Sequence, residues 1–175
     1  MPRWLGTGRT WLSFLALWGL LLGSGSQVRG DEDHYELKEQ YVGEGFYDKW
    51  SFYTGKDPTN GIVDFVDWAE AKAKGMISAS WDRVFMGVDS TTTLWGNNGR
   101  AAVKLLSNSV YNNGLFVLRA DHVPTACGAW PAWWMFGEDS HHAWPRWGEY
   151  DIMEAVHKQP YASTTLHTRE HCDQR

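Results

Sequence analysis

Cysteine is nearly absent: Cys127 and Cys172 are the only two in 175 residues. That is too few for a disulfide-stapled scaffold, so stability has to come from a packed core. No Asn-x-Ser/Thr triplet occurs, which leaves no acceptor for N-glycosylation. The longest apolar run, residues 11–22, is twelve residues, against roughly 20 for a membrane-crossing helix. There is no basic excess. The formal net charge is -5, which argues against a phosphate backbone, and so against nucleic acid, as partner. Nor does any repeat, Pro/Ser-rich linker or low-complexity tract divide the chain.

The apolar run has Arg3 and Arg9 before it and Ser24 and Ser26 after it. Basic, apolar and small residues in that order read as a secretory signal peptide over residues 1–26, cleaved to give an exported protein with no membrane partner. The remainder, 175 − 26 = 149 residues, is enough for one domain, likewise acidic and expected to be monomeric. In an oxidising compartment Cys127 and Cys172 are expected to pair, contributing about 4 kcal/mol by chain entropy.

What is plentiful is tryptophan: twelve residues, three of them before residue 27, and five between Trp130 and Trp147. Broad, rigid indole faces with one polar edge suit stacking on sugar rings as well as filling a core.

Residues 67–75, DWAEAKAKG, combine helix formers with early acids, late lysines and a closing Gly, which predicts one short helix. The rest reads as β. RVFMGVD, RAAVKLLS, GLFVLRAD, WPAWWMF, EYDIMEAV and STTLHT are short β-branched or aromatic runs separated by Gly, Asn, Asp and Pro. Many short strands at this spacing predict an antiparallel sandwich or barrel, with a strand pair joined by a loop ending at Asn113-Gly114.

Residues 147–156, WGEYDIMEAV, place Glu149, Asp151 and Glu154 in an otherwise apolar run. On a helix they fall at about 0°, 200° and 140°, so the first acid faces away from the others. On a regular strand Glu149 and Asp151 share a face and Glu154 points to the other. One extra residue, a β-bulge at Ile152 or Met153, restores parity and brings all three to one side. The two glutamates then lie about 13 Å apart along the strand, near enough for leaning side chains to reach the roughly 5–5.5 Å of a retaining glycosidase. Three carboxyls side by side repel one another, which raises some of them and favours a shared proton. The bland alternative is an edge strand carrying charge against aggregation.

GEYDIMEAV resembles the G-E-x-D-x-x-E signature of glycoside hydrolase family 16, in the bulged form of fungal-type endo-1,3(4)-β-glucanases, or laminarinases. FYTGKDPTNGIVDFVD, FMGVDST, YNNGLFV, CGAWPAWW, Trp144-Pro145 and TTLHT follow the same family in the same order. The resemblance implies an all-β jelly-roll β-sandwich of the concanavalin A type, with a β-glucan polysaccharide as substrate and no cofactor or metal. It also implies that residues 27–175 are the N-terminal part of such a catalytic domain, incomplete at its C-terminal end. Carried over by position, Glu149 is the nucleophile, Glu154 the general acid/base and Asp151 the carboxyl between them. Trp144 corresponds to the tryptophan near the cleaved bond, and His167 to a histidine close to the acid/base. Of Trp130, Trp133 and Trp134, one or two are expected to face the cleft, with Trp130 and Trp134 as candidates. Trp147 stands where the family commonly has Gly, which adds bulk at a subsite.

HTREH, residues 167–171, formally matches a zinc-peptidase pattern. That chemistry needs a helix, and the run leaves a strand. The alternatives to hydrolysis are a β-glucan-binding sandwich without catalysis and an inactive fragment.

Overall fold

The computed structural model describes residues 34–172, so the signal peptide expected over residues 1–26 lies outside the described residues. The strands in chain order are β1 (Trp50–Phe52), β2 (Val63–Phe65), β3 (Ile77–Ala79), β4 (Val84–Met86), β5 (Arg100–Ala102), β6 (Leu105–Ser107), β7 (Ala132–Phe136), β8 (Glu149–Glu154) and β9 (Ser163–His167). One α-helix, α1 (Trp68–Ala73), and a 3-10 turn over Phe46–Lys49 complete the regular structure of the described residues.

The helix forms where its end signals place it. Asp67 accepts a hydrogen bond from the Glu70 N–H at 2.8 Å, satisfying one of the orphan donors of the first turn. Lys74 reaches Glu70 one turn back, and Gly75 leaves the helix in the left-handed region at φ 65°. Ala71 turns inward and joins Tyr47, Val66, Met76, Ile77 and Ala101 in the buried core, with Phe52, Val84 and Leu105 packed against it. Met76 is the largest fully buried side chain. The Tyr47 hydroxyl crosses this core to donate to the Phe85 carbonyl, and burial pushes its phenol up to about 12.

The strands pair in small sheets. β1 runs antiparallel to β6, β2 parallel to β5 and β3 antiparallel to β4, while β7, β8 and β9 form one antiparallel sheet with β8 in the middle. The run RAAVKLLS is two strands rather than the single one expected. Arg100–Ala102 pairs with β2 and Leu105–Ser107 with β1, and the chain changes partner across Val103-Lys104. The predicted strand GLFVLRAD does not form either, and neither does the strand pair closing at Asn113-Gly114. Residues 114–121 carry β-favouring side chains, but Leu115 and Val117 are exposed and no described strand lies alongside them. Propensity without a partner ladder makes no strand.

Cys127 and Cys172 are both exposed free thiols, so the expected disulfide is not formed. The strands next to them leave from opposite ends of one sheet. Cys127 precedes β7 and so lies toward the Ala132–Glu154–Ser163 end of the sheet, whereas Cys172 follows β9 at the Phe136–Glu149–His167 end. Four steps of strand, about 13 Å, separate those two ends, and each thiol leaves its own end on a loop. In HTREH, His167 closes β9 and His171 lies in a turn with φ 67°, so the two histidines share no helical face.

Candidate active site

The central strand β8 carries the predicted bulge. Against β7, Asp151 faces Trp134 and Met153 faces Trp133, which leaves Ile152 without a counterpart. Against β9, Asp151 faces Thr165 and Glu154 faces Ser163, three steps on one strand against two on the other. The extra residue shifts the parity of everything after it. Glu149, Asp151 and Glu154 therefore share one face with Ala132, Trp134 and Phe136 of β7 and with Ser163, Thr165 and His167 of β9. Trp133 and Met153 lie on the opposite face.

Each acid is held by a different ring. The Trp144 indole N–H donates to Glu149 Oε2 at 2.5 Å, and the Trp130 indole N–H donates to Glu154 Oε1 at 2.6 Å. Asp151, 5% exposed, lies between them with Oδ2 3.0 Å from His167 Nε2. Burial raises the Asp151 carboxyl above its ordinary value, the neighbouring charges of Glu149 and Glu154 push it further, and His167 pulls partly the other way. A carboxyl so placed holds its proton more tightly than a solvated one, as the repulsion among three acids requires.

Aromatic rings line the same face. Trp134 stacks on Phe136 at 5.0 Å and 24°, and Phe136 meets Trp147 at 5.4 Å. Trp144 packs on the His167 ring at 5.5 Å. At the β7 edge the Lys104 ammonium sits 5.1 Å from the Trp134 ring and 4.8 Å from that of Tyr53. Trp130 and Trp144 are each more than half exposed, so their N–H edges are tied to acids while much of the ring surface stays open to solvent.

The three acids, Trp130, Trp134, Trp144 and His167 thus meet on one side of this sheet, with Trp147 joined through its contact with Phe136, while Trp133 turns to the other. His167 stands at the Glu149 end and bonds Asp151, rather than lying beside Glu154. Phe136, Ser163 and Thr165 share that face although no motif marks them. Counting by two from Trp134 and from His167 reaches all three, a signal that was there to be used. Lys104 had no such signal, since it arrives from the break between β5 and β6. Two carboxyls on one face, flanked by open indoles and separated by a third acid, can divide nucleophilic and proton-transfer duties on a sugar acetal.

Comparison with known proteins places this arrangement. The XgeA-like catalytic GH16 domain matches residues 50–175. A probable endo-1,3(4)-β-glucanase of Aspergillus fumigatus is 41% identical over 142 residues, 79% of this chain and 21% of that protein. An endo-1,3(4)-β-glucanase of Arthroderma benhamiae is 36% identical over 154 residues, 87% of this chain and 32% of its own length. Among solved structures, the GH16 laminarinase 16A of Phanerochaete chrysosporium, with β-glucans in both donor and acceptor sites, superposes with a TM-score of 0.72 at 37% identity. That match covers 79% of this chain and 46% of the laminarinase. A GH family 16 β-1,3-glucosyltransferase superposes at 0.64 and 38% identity, covering 71% of this chain and 42% of the other. The chain therefore spans about a fifth to a third of these curated relatives and under half of the solved domains. The expected all-β, jelly-roll class of fold holds.

Proposed function

The chain belongs to the catalytic domains of glycoside hydrolase family 16, and on that premise we propose that it hydrolyses β-1,3 or mixed β-1,3/1,4-glucan with retention of configuration. The observation that carries this reading is the bulge at Ile152, which delivers Glu149, Asp151 and Glu154 to one aromatic-lined face.

In the first step a Glu149 carboxylate oxygen attacks the anomeric carbon, the glycosidic C–O bond breaks, and Glu154 gives its proton to the leaving oxygen. In the second, water attacks the same carbon, Glu154 takes the proton from that water, and the Glu149 ester bond breaks. Two inversions return the original configuration. Asp151, raised by burial and bridged to His167, lies between the two glutamates and holds its proton more tightly than a solvated carboxyl, which moderates the repulsion among the three. Trp134, Phe136 and Trp147 offer a stacked surface for sugar rings on the same face. The chemistry needs only carboxyls and water. Residues 1–26, with their basic, apolar and small segments in order, support action outside the cell.

The test is reducing-end release from laminarin and lichenan by the chain and by its Glu149→Gln variant. Release by the wild type and a loss of about 10³-fold or more in the variant are expected. Binding of laminarin without release by the wild type would replace hydrolysis with recognition alone, and release that survives the substitution would remove Glu149 as nucleophile.

A further inference from the structure

Resting on the glycosidase reading above, we propose that Trp130 is a positioning residue whose indole N–H holds the acid/base carboxyl of Glu154 throughout the reaction.

The backbone on either side of Trp130 is stitched to the residues just past Glu154. The Ala155 N–H donates to the Pro131 carbonyl at 3.0 Å and the His157 N–H to the Ala129 carbonyl at 2.8 Å. The Gly128 N–H closes the same loop by donating to His157 Nδ1 at 2.9 Å. Trp130 is thus fixed relative to Glu154 by three hydrogen bonds outside the regular strands. The cross-strand neighbours of Glu154 are Ala132 and Ser163. Ala132 has no side-chain donor, so on the β7 side the carboxyl is held by the indole alone, at 2.6 Å.

That N–H engages Oε1 only, which leaves Oε2 to carry the transferable proton. A donor aimed at Oε1 is satisfied whether the group is a carboxylic acid protonated on Oε2 or a carboxylate. Glu154 has to pass through both states in each turnover, and the indole follows it through both without changing partner. A flexible side chain with three rotatable bonds is thereby kept in one geometry for proton delivery and for proton removal. The duty belongs to the N–H edge and is separate from any stacking by the ring face, which Trp130 keeps open.

Trp130→Phe removes the N–H and keeps a flat ring. Two substrates separate the roles: laminarin, whose leaving alcohol needs protonation, and 2,4-dinitrophenyl β-laminaribioside with azide, whose leaving group needs no acid and whose acceptor needs no base. The variant is expected to lose about 10- to 100-fold in kcat on laminarin with little change in KM, and to turn over the aryl glycoside with azide at the wild-type rate. Wild-type aryl turnover also reports a folded site. Trp130→His, which retains a ring N–H, is expected to recover part of the laminarin rate. Equal losses on both substrates in a variant that melts like the wild type, a rise in KM at constant kcat, or no loss on laminarin would each overturn the positioning role. A wild-type chain that cleaves neither substrate sinks the glycosidase reading and this one together.

Discussion

Asp151 Oδ2 lies 3.0 Å from His167 Nε2, although the ladder sets Asp151 opposite Thr165 and His167 opposite Glu149. The contact is therefore diagonal, two residues along β9, and the long imidazole leans toward the middle acid instead of the one beside it. It leaves the indole of Trp144 to serve Glu149. The three acids are thus given three separate partners.

This arrangement makes Asp151 a source of pH-dependent stability. Its native carboxyl is raised above the unfolded value of about 3.9. A raised carboxyl contributes stability that is complete below the unfolded value and is lost as the pH climbs through the native one. Asp151→Asn cannot ionise and keeps an oxygen that accepts from His167. The variant is expected to gain on the wild type as the pH rises above the unfolded value of about 4, and to stop gaining once the pH has passed the native value. Thermal melts of both proteins on the two sides of that unfolded value check it, and a pH-independent difference would show that Asp151 ionises as freely in the fold as out of it.

The bulge gives a sharper test of the site. Deleting Ile152 removes the bulge together with its extra residue, so that Glu149, Asp151 and Glu154 fall two and two apart and keep one face of a regular strand, with Glu154 still opposite Ala132. Laminarin cleavage by the deletion variant is expected to stay within about 10-fold of the wild type, with Ile152→Val retaining most of it. Near-UV circular dichroism establishes that the deletion keeps its tertiary packing. A folded deletion variant that has lost laminarin cleavage would mean that the bulge itself, and not the shared face of the three acids, assembles the site.

How much of this was legible beforehand follows from what each feature depends on. The bulge was readable because three acids spaced two and three apart fit no regular backbone, so local geometry had one repair. Helix α1 was readable because Asp67 and Gly75 mark its ends within the sequence itself. The division of residues 100–107 between β5 and β6 was not, because it is set by pairing with β1 at residues 50–52 and β2 at residues 63–65, far back in the chain. Residues 114–121 failed for a related reason: their pattern suits a strand, and only a neighbouring ladder decides whether one forms. The identity of the acids' partners was half legible. Tryptophans near the acids were evident, but not that two of them would use the N–H edge rather than the face.

The cysteines yield a prediction from topology. Both are exposed and lie toward opposite ends of the β7–β8–β9 sheet. In the native protein both thiols are expected to react with a thiol reagent such as dithionitrobenzoate without denaturant, and Cys127→Ser and Cys172→Ser to shift Tm by less than about 2 °C. A native protein with no titratable thiol, or one losing about 4 kcal/mol on either substitution, would restore the cross-link and require the two ends of the sheet to be rearranged.

Gly137 tests how the nucleophile is held from behind. Its N–H donates to the Gly148 carbonyl at 2.9 Å, and a Cβ added there would meet the Trp147 carbonyl oxygen inside any distance real Cβ atoms tolerate, with the Trp147 carbonyl carbon at 3.3 Å. The obstacle is backbone, which yields only if residues 147 and 148 move, and Glu149 follows directly after them. Gly137→Ala is therefore expected to cost about 1–3 kcal/mol of stability and to lower kcat on laminarin about 10-fold or more, since small displacements of a reacting group are costly. The Trp130–Glu154 pair, at the other end of β8, is not displaced, so proton delivery to the leaving oxygen is spared. Aryl glycosides, which bypass that proton but still need the nucleophile, should lose as much as laminarin does. A Gly137→Ala variant with wild-type melting and rates would show that Trp147 and Gly148 are free to move without carrying Glu149 with them.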